Sequence, residues 1–186
     1  SRSNEVVISI SAIGRVKRPI LRSGAKVGER LFISNLPGFS QAGLSLLKSS
    51  SDNQSPAANR ARMAHLAPDL DYEKYRKSYE YLSSAIDTSD GLVIDASRIA
   101  AASGVGIDIR VEALINAPEF SELESASGSR ESALESALYG GEDHLLLATS
   151  DAQDFGFLEI GQVVKGDGIY LDGVKTKTSG GYQHSW

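Results

Sequence analysis

The chain has 186 residues, 41% of them hydrophobic, with a formal net charge of −5 and no cysteine. That length suffices for one domain with a sizeable core. The mildly acidic balance leaves out the basic face that a nucleic-acid backbone demands, and the lack of cysteine leaves out disulfides, thiolate zinc sites and a cysteine nucleophile.

The three histidines, His65, His144 and His184, show no ligand spacing, so any metal is expected to be a hard ion held by oxygen. No apolar run approaches the roughly 20 residues needed to cross a bilayer. Ser1, Arg2, Ser3 and Asn4 lead into a strand-like run rather than an apolar secretory segment. A cytoplasmic protein with neither nucleic acid nor membrane as partner is expected. The lack of an initiator methionine and the strand-like run almost at once fit a fragment of something longer, and equally a processed or trimmed chain.

Val6 to Ile10 is rich in β-branched residues and is expected as a first strand, with Arg30 to Ser34 as a second. After Pro37 and Gly38, Ser40 sits where an N-cap would, and Ala42, Leu44, Leu46 and Leu47 give the apolar side of a short helix fading near Ser49. Ser49 to Ala58, rich in Ser, Asn, Asp and Pro, reads as a mobile surface loop. Tyr72, Tyr75, Tyr79 and Leu82 recur at three- and four-residue steps and predict one face of a helix.

A short strand through Ala85 and Ile86 leads into a polar turn, and Leu92, Ile94, Ile99 and Ala100 then predict a helix closed by Gly104. Gly106 to Val111 is expected as a strand, Glu131 to Tyr139 as a helix ended by Gly140 and Gly141, and Leu145 to Leu147 as a buried strand. Ile160 to Val164 and Ile169 to Leu171 flank Lys165, Gly166, Asp167 and Gly168, which suits a hairpin. With no internal repeat, the fold class is α+β, a mixed β-sheet with helices packed on it.

The strongest local signal is Asp87, Thr88, Ser89, Asp90, Gly91, Leu92, two carboxylates and two hydroxyls on a turn ahead of a helix. Magnesium is commonly held by one or two carboxylates completed by water and nucleotide phosphate. The helix N-terminus adds backbone N–H groups and a positive dipole end suited to those phosphates. From spacing alone the competing account stands: Asp90 caps the helix and Asp87 merely ends a strand.

A second signal is Gly140, Gly141, Glu142, Asp143, two acids directly behind a helix C-terminus, where the dipole disfavours negative charge by up to about 1 kcal/mol. Such acids are tolerated with a substrate to hold, or in a solvated loop where screening removes the cost. Leu21 to Lys26 offers a guanidinium, an ammonium and a glycine within one turn, a contact for phosphate oxygens or a solvated basic loop. The tail, from Gly180 to Trp186, ends on the only tryptophan, an indole suited to packing down or stacking on a flat ligand.

Taken together these stretches resemble, in order and combination, the C-terminal half of thiamine-monophosphate kinases. That family lies within the superfamily that also holds aminoimidazole ribonucleotide synthetase. The stretches carrying the resemblance are Leu21 to Gly28, Ile86 to Leu92, Ala137 to Asp143 and Gly180 to His184.

The resemblance implies that residues 1–186 are a single C-terminal domain whose N-terminal nucleotide and metal domain is absent from this chain. It implies magnesium on Asp87 and Asp90, ATP contacts from Ser89 and Arg22, and thiamine monophosphate held by Glu142 and Trp186. The implied reaction moves the γ-phosphoryl of ATP onto thiamine monophosphate, giving thiamine diphosphate. No catalytic base is assigned, because an acceptor phosphate oxygen is already anionic near neutral pH. The chain alone is expected to be inactive, and a homodimer is expected once the N-terminal domain is present.

Two departures from the family pattern stand out: the missing N-terminal half, and Asn35 to Ser40 where such kinases carry a glycine-rich turn. The alternatives are another ATP-using enzyme of the superfamily and a non-catalytic ligand-binding relative.

Overall fold

The structure is a computed structural model of the chain and describes residues 8–49 and 51–176. Seven strands form one mixed sheet: β1 Arg30–Ile33, β2 Ser84–Asp87, β3 Gly106–Ile109, β4 Leu146–Ser150, β5 Leu158–Val164, β6 Gly168–Leu171 and β7 Val174–Thr176, in the order β2-β4-β1-β5-β3-β6-β7. All neighbours are antiparallel except β3 and β6. The α+β expectation holds.

Seven helices join it: α1 Phe39–Lys48, α2 Pro56–Leu66, α3 Tyr72–Ser78, α4 Leu92–Ser103, α5 Val111–Ile115, α6 Phe120–Ser127 and α7 Arg130–Tyr139. The strand period of two sorts side chains between faces. Leu31 and Ile33 of β1 are fully buried in the main core with Leu92, Ile99, Leu123 and Leu147. Phe32 points the other way, onto Phe155 at 4.6 Å between ring centroids.

The hairpin expected at Lys165 to Gly168 does not form. Strands β5 and β6 are separated by β3, which pairs with both. Gly168 therefore begins a strand parallel to β3, and the hairpin lies one step further on, between β6 and β7. The local turn chemistry was sound, but the neighbour of β5 is chosen by burial of Ile107 and Ile160 in the core.

The expected strand at Val6 to Ile10 also fails over its described part. Ile8 and Ile10 carry no strand pairing and are 80% and 88% exposed, because β propensity without a paired neighbour does not make a strand. Val6 and Val7 lie outside the described residues.

The polar stretch read as a loop from Ser49 to Ala58 is a loop only up to Ser55, whose hydroxyl accepts the N–H of Ala58 and caps α2, with Pro56 in the first helical turn. Apolar periodicity missed α2 because its buried residues are small: Ala57, Ala58 and Ala61. They lie so near α1 that a methyl group on Gly43 would stand 2.0 Å from the carbonyl oxygen of Ala61. Helices α5 and α6 were not predicted either. The tyrosine helix is shorter than its pattern, since α3 passes into a 3-10 turn at Tyr79–Tyr81 and Leu82 is extended.

Candidate functional site

Strand β2 ends at Asp87 and helix α4 begins at Leu92. Thr88 is buried and fastens the turn between them: its N–H donates to the carbonyl of Leu145 at 2.8 Å, and its Oγ1 accepts the N–H of Leu145 at 3.1 Å. The loop behind α7 lies against the same turn. Glu142 donates its N–H to Ser89 O at 2.8 Å, and His144 donates to Thr88 O at 3.0 Å.

The two segments meet where neither has a side chain. A methyl group on Gly91 would stand 2.8 Å from Tyr139 O, and one on Gly141 2.7 Å from Ser89 O. Gly91 of the polar turn and Gly141, read as helix punctuation, thus permit backbone contact between two loops about fifty residues apart in sequence. Glu142 and His144 adopt left-handed backbone, with φ of 64° and 53°, a conformation that non-glycine residues reach seldom and that concentrates at functional sites.

Asp90 does not cap α4. The N-cap is Gly91, and Asp95, one turn inside the helix, reaches back to accept the N–H groups of Asp90 at 3.0 Å and Gly91 at 3.2 Å. Arg98 binds the carboxylates of both Asp90 and Asp95. Asp95 is fully buried, and burial raises its pKa against the opposing pull of the Asp90 N–H and Arg98. The hydrogen bond to Asp90 raises the pKa of Arg98.

The side chain of Asp87 is exposed and has no polar partner among the described residues. No group of three or more acidic or histidine side chains placed to hold a metal occurs among the described residues. As donors for magnesium, Asp87 and Asp90 fit a seat completed by phosphate oxygens and water, not a cage built by this chain alone. Of the two carboxylates Asp87 is open, while Asp90 shares its charge with Arg98.

Ser89, Asp90 and Glu142 line one cleft of about 540 Å³, together with Ser40, Gln41, Leu44, His65, Gly141 and His144. His65 and His144, far apart in sequence, line the same cleft. Beside it lies a second hollow of about 320 Å³, lined by Leu36, Phe39, Met63 and Asp143 among others.

Glu142 and Asp143, adjacent in sequence, have separate surroundings. The Glu142 side chain is 65% exposed. The carboxylate of Asp143 accepts the N–H of Gly38 at 2.7 Å and of Ser40 at 3.0 Å, closing the N-terminus of α1. Burial pushes its pKa up to about 6 despite those two bonds. Ser40, expected as the cap, lies inside α1, fully buried, with its hydroxyl on His65.

Arg22 stands apart from this cleft. Its carbonyl accepts the hydroxyl of Ser103 at 3.3 Å, at the far end of α4 from Asp90, a separation of roughly 18 Å along a helix of this length. Its side chain is exposed. Trp186 and the stretch from Gly180 to His184 lie outside the described residues. Sequence reasoning passed over Asp95, Arg98, His65 and His144. Only the Asp95–Arg98 pair left a local signal, an acid and a base three apart on one helix face.

No described helix is long and apolar enough to cross a membrane. No family model matches the chain. The hydrogenase maturation protein HypE of Escherichia coli has the same fold, with a TM-score of 0.58 over 82% of this chain and 48% of that one, at 17% identity. This is therefore an α+β domain of the fold that HypE shares.

A nearer likeness is to the thiamine-monophosphate kinase of Aquifex aeolicus, 35% identical over 184 residues, 97% of this chain and 60% of that protein. A solved structure described as AaThiL complexed with AMPPCP and TMP superposes with a TM-score of 0.79 at 34% identity, over 89% of this chain and 54% of the other. Over nearly its whole length the chain is similar to thiamine-monophosphate kinases. It spans about half the length of the curated relatives it matches.

Proposed function

We propose that this chain is the C-terminal domain of a kinase that transfers the γ-phosphoryl group of ATP to thiamine monophosphate, forming thiamine diphosphate. The observation that carries the reading is the shared cleft: Ser89 and Asp90 on one side and Glu142 on the other, joined by backbone bonds between their two loops. The related structure with AMPPCP and TMP supports a nucleotide and a thiamine phosphate as its two occupants.

In this reading Asp87 and Asp90 hold magnesium, Ser89 contacts ATP in the cleft, Arg22 contacts it from outside the cleft at the far end of α4, and Glu142 with Trp186 holds the acceptor. Magnesium, once bound, neutralises charge on the phosphates being joined and parted. The chain's own part is placement: Asp95 and Arg98 set the turn, and Thr88 ties it to β4. An acceptor phosphate oxygen forms the new bond to the γ-phosphorus as the bond to the β-phosphate oxygen breaks. No proton has to be removed, and positioning supplies most of the effect.

The domain would work with an N-terminal half that brings further acidic ligands, as a cytoplasmic homodimer, and would turn over little or nothing alone. The test supplies the complete protein with ATP, magnesium and thiamine monophosphate and looks for thiamine diphosphate. Turnover only with another phosphate acceptor would move the assignment to another enzyme of the superfamily. Binding of both ligands without transfer would make it a non-catalytic relative.

A further inference from the structure

Three polar side chains from three elements meet on the wall of the cleft. Ser40 comes from the first turn of α1, His65 from the end of α2 and Glu142 from the loop ahead of β4. The Nδ1 atom of His65 stands 3.1 Å from Ser40 Oγ and 3.5 Å from Glu142 Oε2. They run outward from a fully buried hydroxyl, through a ring whose side chain is 17% exposed, to a carboxylate that is mostly in solvent.

Both contacts use the same ring nitrogen. That geometry does not build a serine–histidine–acid relay, which needs its two partners on opposite nitrogens. It constrains the ring instead. A carboxylate only accepts hydrogen bonds, so an Nδ1 atom facing one is favoured with its proton on. The Ser40 oxygen, fixed in the interior, then accepts this N–H at 3.1 Å and holds the ring with the same N–H edge facing the Glu142 carboxylate at 3.5 Å.

Glu142 has need of such a hold. Its backbone is pinned in the left-handed region by the bond from its N–H to Ser89 O, but its side chain is exposed and has no other charged neighbour within ion-pair distance among the described residues. A free glutamate side chain loses rotamer entropy on meeting a ligand, and one already oriented loses less.

We propose that His65 is a positioning residue for Glu142: its Nδ1–H draws the Glu142 carboxylate to the α2 side of the cleft and presents it to the cationic or amino-bearing part of the acceptor. The proposal rests on the reading that this cleft receives the thiamine phosphate. It assigns His65 to acceptor affinity and not to phosphoryl transfer, because the phosphates are engaged from the Asp87 to Asp90 turn.

The experiment uses the complete protein. For His65→Ala the KM for thiamine monophosphate is expected to rise about tenfold, with kcat and the KM for ATP within about twofold of wild type, as loss of uniform binding requires. His65→Asn, whose amide N–H takes the place of Nδ1–H, restores most of that KM, and His65→Gln, which places its N–H where Nε2 was, does not. Adding His65→Ala to Glu142→Gln brings little further loss, since His65 acts only through that carboxylate. A parallel loss of both KM values with a lowered melting temperature, shared by the Ala and Asn variants, would make His65 a packing residue and overturn the proposal.

A second readout is independent of the acceptor. Long-range 1H–15N spectra of histidine-labelled complete protein, assigned with His65→Gln, are expected to show a proton on Nδ1 whose signal moves in Glu142→Gln. An unprotonated Nδ1, or one indifferent to that change, overturns the proposal. A protonated, Glu142-sensitive Nδ1 in a protein that makes no thiamine diphosphate upholds the positioning and overturns the substrate reading alone.

Discussion

The carboxylate of Asp143 accepts the backbone N–H of Ser40 at 3.0 Å across 103 positions of sequence, and so a residue of the cleft loop closes the first turn of α1. A helix end that is normally capped by its own flanking residue is here capped from the far side of the chain. The stability of α1 and the shape of the cleft therefore depend on the same acid.

Asp143→Ala leaves two N–H groups at that helix end without their acceptor and is expected to cost about 1–2 kcal/mol of stability. Urea unfolding at pH 4, below the range in which that contribution is lost, measures it. The pH dependence has a definite sign. Because the folded-state pKa is raised from 3.8 to about 6, the folded protein holds this proton more tightly than the unfolded chain. The contribution is full below about pH 4 and is lost as pH rises through about 6. The stability margin of wild type over Asp143→Asn should narrow between those two values.

Gly141→Ala places a methyl group 2.7 Å from Ser89 O, and the atom it meets is backbone that cannot turn aside. The loop must move off the turn, breaking the bonds from Glu142 and His144. A loss of about 1–3 kcal/mol is expected, as for overpacking elsewhere. Nucleotide and acceptor affinity should both weaken in the complete protein, as read by calorimetric titration.

Asp87→Asn removes a charge from an exposed side chain without polar partners among the described residues. Its melting temperature should stay within the range of ordinary surface substitutions, about 0.5 kcal/mol. Turnover of the complete protein should fall at least tenfold, about 1.4 kcal/mol of transition-state stabilisation, and more magnesium should be needed to reach half of maximal rate. Unchanged turnover at saturating magnesium would take Asp87 out of the metal site.

Gly43→Ala tests the contact that makes α2 possible. Its methyl group would stand 2.0 Å from Ala61 O, so α1 and α2 must separate. A destabilisation of about 3 kcal/mol or more is expected, without direct loss of any cleft side chain. Calorimetric unfolding against wild type measures it.

Much of the fold was legible where local chemistry and tertiary placement agree. Gly104 closes α4 in the left-handed conformation its position predicted, Arg30 to Ile33 form the strand expected there, and Leu147, read as part of a buried strand, is buried. Helix α2 was not legible, because a helix that packs through alanine against a glycine has no large apolar stripe to show. The order of β5, β3 and β6 was not legible either, since turn residues report where a chain bends and not which strand it lies beside.

The same division runs through the site. Asp87, Ser89, Asp90 and Glu142 could be picked out by residue type, because hard oxygen ligands on a turn before a helix and acids behind a helix end are unusual in any context. The assembly of Ser89, Asp90 and Glu142 into one cleft, which Asp87 does not line, was decided by the backbone bonds of Glu142 and His144 to the Thr88–Ser89 turn. The sequence by itself determined the chemical kinds on offer and the α+β class, because these follow from composition and local periodicity. The pairing of Asp90 with Arg98, the closing of α1 by Asp143 and the meeting of His65 with Glu142 were decided only by the tertiary structure. Each depends on a partner that covalent order does not place nearby or on a rotamer that only packing selects.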